Sequence, residues 1–243
     1  MIINTLLLQT GGEIPFLSAG VTIHNPSLKE IGFIGDKDFL IGCHFLCFNR
    51  ENLSDEDKVN LEDKSDFEIF MSVMNSRQKA IHKTDAIMVL ALLFPQYEIK
   101  LTKDKILLHK DSFSSSINEQ NYKDFKSILN QMFCLEIAEA EQEYNPADAL
   151  AARIAEKIKK GKMKRNKKDI DEEDFSVYEH FISVLSVGLQ KSKTELSNYT
   201  VYQIRDEFQR FIKKENYDIY IKAKLAGAQD LEEVENWMDK IHP

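Results

Sequence analysis

The sequence predicts an α+β N-terminal part, with a small β-hairpin and amphipathic helices, followed by an all-α C-terminal part. Three observations carry this expectation. Tyr97, Ile99 and Leu101 alternate with Glu98 and Lys100, the period of a half-buried strand, and Lys103-Asp104 form a two-residue turn into Ile106–Lys110. Tyr122, Phe125, Ile128, Leu129, Met132 and Phe133 fall on one face of a helix over about residues 121–135. Beyond residue 171 only the helical period is found. The change is marked by charge: residues 157–168 carry eight basic side chains and no acidic one, and Asp169, Asp171, Glu172, Glu173 and Asp174 follow. The expected organisation is an N-terminal domain over 1–144, a connector helix and basic linker over 145–170, and a helical C-terminal domain over 171–243.

Along the chain, a strand is expected around residues 20–24, after Gly11-Gly12 and before Asn25-Pro26. Ser27-Leu-Lys-Glu30 is a capping-box pattern: the serine accepts from the third helical N–H while the glutamate reaches back. The helix it starts is interrupted by Gly32 and Gly35. Residues 39–48 are apolar nearly all round and therefore buried or in an interface. Residues 54–64 read as a charged loop and helix start. Ser65-Asp66 cap a helix through Met74 whose Phe67, Phe70, Met71 and Met74 share a face, and Thr84-Asp85 cap another over 85–94, ended by Pro95. The serine-rich stretch 111–116 reads as a loop.

In the middle, Asn145-Pro146 starts a helix with a thin stripe of Leu150, Ile154 and Ile158. Such a helix is marginal alone. In the C-terminal part, Phe175, Tyr178, Ile182, Leu185 and Leu189 share one face. Residues 199–225 hold Val201, Ile204, Phe208, Phe211 and Ile212 at helical spacing. The phase slips near 213–216 and resumes at Tyr217, Tyr220, Ile221 and Leu225, which predicts a break or kink there. Gly227 is a natural C-cap, and 231–241 reads as a last short helix carrying Trp237.

No catalytic constellation is legible. There is no G-x-S-x-G elbow, no phosphate-cradling glycine motif and no H-E-x-x-H, and the six histidines are scattered. Cys43-His44-x-x-Cys47 lacks a second close ligand pair, so these cysteines read as small core residues rather than half a zinc site. Glu136, Glu139, Glu141 and Glu143 read as a solvated linker. The expectation is a non-enzyme without cofactor or metal. Three cysteines fit free thiols in a reducing compartment. Met1–Gln9 lacks the pattern of a signal peptide, and no apolar run approaches the ~20 residues that span a bilayer. A cytoplasmic location is expected. The net charge of −8 argues against a protein built to bind nucleic acid, and no aromatic residue interleaves the lysines to stack on bases. A nucleic-acid-binding regulatory protein using residues 157–168 is the alternative, and it predicts steeply salt-dependent binding.

Two sets of segments carry a family likeness. One is Asp85-Ala-Ile-Met-Val-Leu-Ala-Leu-Leu-Phe-Pro-Gln-Tyr97 with its neighbour 121–135. The other is Tyr199-Thr-Val-Tyr-Gln-Ile-Arg-Asp-Glu-Phe-Gln-Arg-Phe211, followed by residues 217–228 and Trp237-Met-Asp-Lys-Ile-His242. Together they resemble the tail assembly chaperones of long-tailed phages and prophages of Gram-positive bacteria. The resemblance implies a protein that binds the tape-measure protein and recruits tail-tube subunits in the host cytoplasm. It supplies no catalytic residues. It also implies short and long forms made by frameshifting, for which Lys159-Lys160 or Lys167-Lys168 are the natural slip sites. The partner-binding candidates are Lys159, Lys160, Lys162, Lys164 and Arg165 in the basic run, and the aromatics Tyr202, Phe208, Phe211 and Trp237, since aromatic anchors dominate interface energetics. The competing reading is that the four aromatics fill the helical core. Self-association is a further expectation for a chain with surplus apolar surface.

The organisation is testable directly. Lysines in an exposed connector are trypsin targets, so brief trypsin treatment is expected to cut first within 157–168. Resistance there, with earlier cuts elsewhere, would contradict the two-part reading.

Overall fold

The structure, a computed structural model, describes residues 2–49, 63–75, 80–135, 176–228 and 233–238. It shows small sheets packed with helices in the N-terminal part and only helices in the C-terminal part. In order, these are α1 (Thr5–Thr10), β1 (Ile14–Phe16), a 3₁₀ turn (Leu17–Ala19), β2 (Val21–Ile23), α2 (Leu28–Ile31), α3 (Asp36–Leu46), α4 (Asp66–Asn75) and α5 (Ala80–Leu93). Strands β3 (Glu98–Leu101), β4 (Ile106–Lys110) and β5 (Phe113–Ile117) follow, then α6 (Glu119–Phe133), α7 (Val177–Gly188), α8 (Lys193–Ser197) and α9 (Val201–Leu225).

Both sheets are antiparallel meanders. In the first, Ile14 faces Ile23 and Phe16 faces Val21. In the second, Leu101 faces Ile106 and Thr102 N donates to the Lys105 carbonyl, so Lys103-Asp104 are the two turn residues, as the alternation requires. The expected serine loop is instead strand β5, paired along β4 from Ile117↔Ile106 to Phe113↔Lys110. Serines have low strand propensity. Here the β4 ladder supplies their backbone partners and Ile117 is buried beneath it.

The elements begin where side chains can cap them. The Ser27–Glu30 box is closed on both sides, and Ser65 and Glu68 make the same reciprocal pair at α4. Helix α6 starts two residues earlier than its apolar face suggests, because Asn118 and Asn121 form a capping box. Two helices escaped the sequence reading. Helix α1 is capped by Asn4 and ends on Gly11 in the left-handed region, and α8 is capped by the Ser192–Glu195 box.

Thr84 and Asp85 do not cap α5. The helix already runs from Ala80, and Asp85 lies buried within it. Helix α9 has no break at 213–216. It is one helix of 25 residues. The slip in apolar phase turns the stripe to another side of a continuous helix, because Lys213-Lys214-Glu215-Asn216 contains neither proline nor glycine to break it. Residues 233–238 form a turn rather than the expected helix. The 145–158 helix, the acidic and basic runs and Phe175 lie outside the described residues, as does most of the 54–64 stretch.

The core centres on α6. Phe125 lies between Phe16 and Phe94, with ring centroids at 5.8 and 6.3 Å. Tyr122 stacks on Phe70 at 5.3 Å and donates its hydroxyl to the Leu46 carbonyl at 3.0 Å. Phe133 meets Phe39 edge-on at 5.0 Å. Helices α3 and α5 press together at Gly42, the one α3 position where α5 backbone comes within van der Waals reach of a glycine. Tyr178, Leu185, Leu196, Val201, Tyr202 and Ile204 of the C-terminal helices join the same apolar cluster. Burial pushes the Tyr178 hydroxyl and the Cys43 thiol well above their ordinary pKa values.

Candidate partner-binding surface

Helix α9 is anchored at its N-terminal end. Its N-cap Thr200 accepts from Gln203 N, and Gln203 returns the bond and reaches on to the Gln9 carbonyl at 2.7 Å. Leu28 N donates to the Tyr199 carbonyl at 2.8 Å, and Ser27 bridges to Thr200. Arg205 Nη1 donates to the carbonyl of Cys134, which terminates α6. Val201, Tyr202 and Ile204 are the buried residues of the helix.

From Arg205 to Leu225, roughly 30 Å of helix at 1.5 Å per residue, no residue is fully buried. The first part of this length is covered by α7. Phe208 packs on Phe181 with centroids 4.5 Å apart, and the Phe211 ring lies over Gly188, where an added Cβ would meet it at 2.4 Å. Beyond Phe211, Ile219 is 61% exposed and Leu225 82%, with Val187 of α7 at 81%, while Tyr217, Tyr220 and Ile221 are half-buried. Charged pairs frame them. Arg210 contacts Asp206 at 3.4 Å, Lys214 pairs with Asp218 at 2.8 Å, and Lys213 pairs with Glu235 at 2.7 Å. The Lys213 bond holds the Glu235 carboxyl below the usual range and fastens the C-terminal turn to α9.

The four aromatic candidates are thus placed in different surroundings. Tyr202 is 5% exposed and joins the core. Phe208 and Phe211 are half-buried against α7 and the core margin. Trp237 is half-buried in the C-terminal turn, apart from the main cluster. The structure brings Phe208 and Phe211 together on one helix face, and Trp237 lies in the turn that Glu235 ties to Lys213 of α9. Lys159, Lys160, Lys162, Lys164 and Arg165 lie outside the described residues. Sequence reading missed Val187 and Ile219 as surface groups. Each belongs to an apolar helical pattern, and only the packing shows which side of that pattern faces outward.

Among the described residues no cluster of three or more histidine, cysteine or acidic side chains is arranged to hold a metal. Cys43 is buried, and Cys47 is half-buried with its Sγ near the Lys126 carbonyl. No helix among the described residues is long and apolar enough to cross a membrane.

Residues 179–242 match the family described as YomV second domain. The match begins within α7 and takes in all of α9 and the C-terminal turn. It points to a phage-derived, YomV-like protein. No curated protein and no solved structure matches the chain.

Proposed function

We propose that this protein is a non-enzymatic tail assembly chaperone of a long-tailed phage or prophage, which binds the tape-measure protein and recruits tail-tube subunits. The observation that carries this reading is the distal half of α9: a long helix within the family-matched region that presents apolar side chains to solvent. Exposed apolar surface on a folded protein usually marks a partner site. A helix standing clear of its own core offers a face on which a second helix can pack. The segment resemblance supplies the partner's identity, and the phage character of the matched family agrees with it.

Co-expression with the tape-measure protein of the same phage is expected to give a soluble complex. Ile219→Glu combined with Leu225→Glu is expected to weaken that complex at least about tenfold, since burying an unpaired charge in an interface is costly. Both side chains are exposed, so the melting temperature should move little. Tyr202→Ala should do the reverse, lowering stability because the ring is in the core. A complex indifferent to the double substitution would remove distal α9 from the interface. Tight, strongly salt-dependent DNA binding by the intact chain would favour the regulatory alternative.

A further inference from the structure

We propose that His24 is a proton-operated latch on the seam where the C-terminal helices meet the N-terminal unit. The ring sits at the end of β2 between two carboxylates. Its Nδ1 is 2.9 Å from Glu13 Oε1 and its Nε2 is 3.0 Å from Glu30 Oε1. An ionised carboxylate only accepts hydrogen bonds, and a neutral imidazole carries a single N–H. Both contacts are satisfied together when the ring is doubly protonated. Glu30 is committed to ionisation by other bonds: its Oε2 accepts from Ser27 N at 2.8 Å and from Ser27 Oγ at 2.7 Å.

Those same residues make the seam. Ser27, which Glu30 caps, bridges to Thr200, and the next residue, Leu28, donates its N–H to the Tyr199 carbonyl. Tyr199 and Thr200 connect α8 to α9. The order of connection is therefore Glu13, His24, Glu30, Ser27-Leu28, Tyr199-Thr200. When the ring loses a proton, one carboxylate faces a bare lone pair, and no cation remains between Glu13 and Glu30. The capping box then holds its position with less support, and the Leu28–Tyr199 bond opens more often. The core contacts of Val201 and Ile204 and the Arg205 bond persist, so the opening is confined to the seam.

The groups facing the ring are few. Glu13 precedes β1 and Glu30 belongs to α2. From α5 comes the Leu93 carbonyl, which accepts from His24 N at 2.9 Å. Among the described residues no other charged group acts on it. Burial of the ring disfavours its charge, but the two carboxylates outweigh burial and raise its pKa above 6.5. Glu30 is shifted the other way: partial burial opposes its charge, but the Ser27 bonds and His24 hold its pKa below the ordinary value. A raised histidine stabilises the folded state fully below its unfolded pKa of ~6.5, and this is lost as pH rises through the folded pKa. The latch is therefore closed below pH ~6.5 and opens as pH rises through the raised pKa of the folded state.

Histidine proton resonances followed against pH in the full chain, with amide exchange at Leu28 corrected for its intrinsic rate, test this. His24 is expected to titrate above 6.5. Protection of the Leu28 amide should fall about two- to fivefold across that titration, the range of a partly exposed ion pair. In His24→Gln the protection should be low and independent of pH. Glu13→Gln, which leaves the capping box untouched, should lower the His24 pKa and shift the loss of protection with it; this variant decides the matter if His24→Gln fails to fold. A His24 pKa at or below 6.5, or Leu28 protection that is flat through the titration, would overturn the latch.

Discussion

Phe125→Ala is expected to destabilise the protein by about 3–5 kcal/mol, the usual range for removing a buried phenylalanine ring. The ring is fully buried and lies between Phe16 of β1 and Phe94 at the end of α5. The helix that carries it, α6, also touches α4, β5 and α9. The void would therefore open between β1 and the end of α5, on a helix that other elements also pack against. Collapse of one wall would pull on the others, so relaxation is limited and the cavity contribution stays large. Loss of the two ring–ring contacts adds to this, since such pairs contribute about 0.5–1.5 kcal/mol beyond their area. Phe113→Ala is the natural comparison. Phe113 is 46% exposed on an end of β5, and its loss should cost less than about 1 kcal/mol. Urea midpoints at constant m would measure both. Equal losses for the two variants would mean that α6 is not the centre of the core.

The importance of α6 was legible from the sequence. Six apolar side chains on one face of a helix leave little freedom in how it packs. The β3–β4 hairpin and the Ser27–Glu30 and Ser65 caps were equally legible, because each is set by residues within a few positions of one another. What was not legible depended on distant partners. Ser112–Ser116 gave no strand signal of their own, and β5 exists because β4 offers a free edge. Thr84-Asp85 has the composition of a cap but lies inside α5, where the apolar contacts of Ala86, Val89 and Leu90 with the core outweigh it.

The candidate surface divides in the same way. The sequence showed that α9 has more apolar residues than one face can hold. It did not show which were covered, because α7 was free to take any of several faces. The contacts of Phe181 with Phe208 and of Gly188 with Phe211 fix that choice, leaving Ile219 and Leu225 outside. The Glu13–His24–Glu30 cluster was likewise invisible. Its members lie just before β1, just after β2 and in α2, and no local pattern joins Glu13 to the other two.

Gly42→Ala is expected to destabilise the protein by about 2 kcal/mol, against the helical preference. In a solvent-exposed helix the same change would stabilise by roughly 1 kcal/mol, since alanine loses less backbone entropy. At Gly42 the added Cβ would lie 2.7 Å from the Asp85 carbonyl oxygen, 2.7 Å from Val89 Cγ2 and 2.9 Å from the Asp85 carbonyl carbon. Val89 is buried and β-branched, so it has little rotamer freedom within its helix, and the Asp85 carbonyl is part of α5 and cannot move alone. The two helices would have to separate by several tenths of an ångström, and overpacking of this kind typically costs 1–3 kcal/mol. Separation would also disturb Cys43, Leu46 and Phe39, which sit fully buried on α3. Gly188→Ala makes an instructive contrast. Its Cβ would meet Phe211 at 2.4 Å, but that neighbour is a half-buried side chain able to swing outward. The stability loss there should be smaller, while the α7–α9 contact and any partner surface built on it should change. Chemical denaturation ranks the two variants, and a Gly42→Ala protein as stable as the parent would show that α3 and α5 are not held as close as the structure places them.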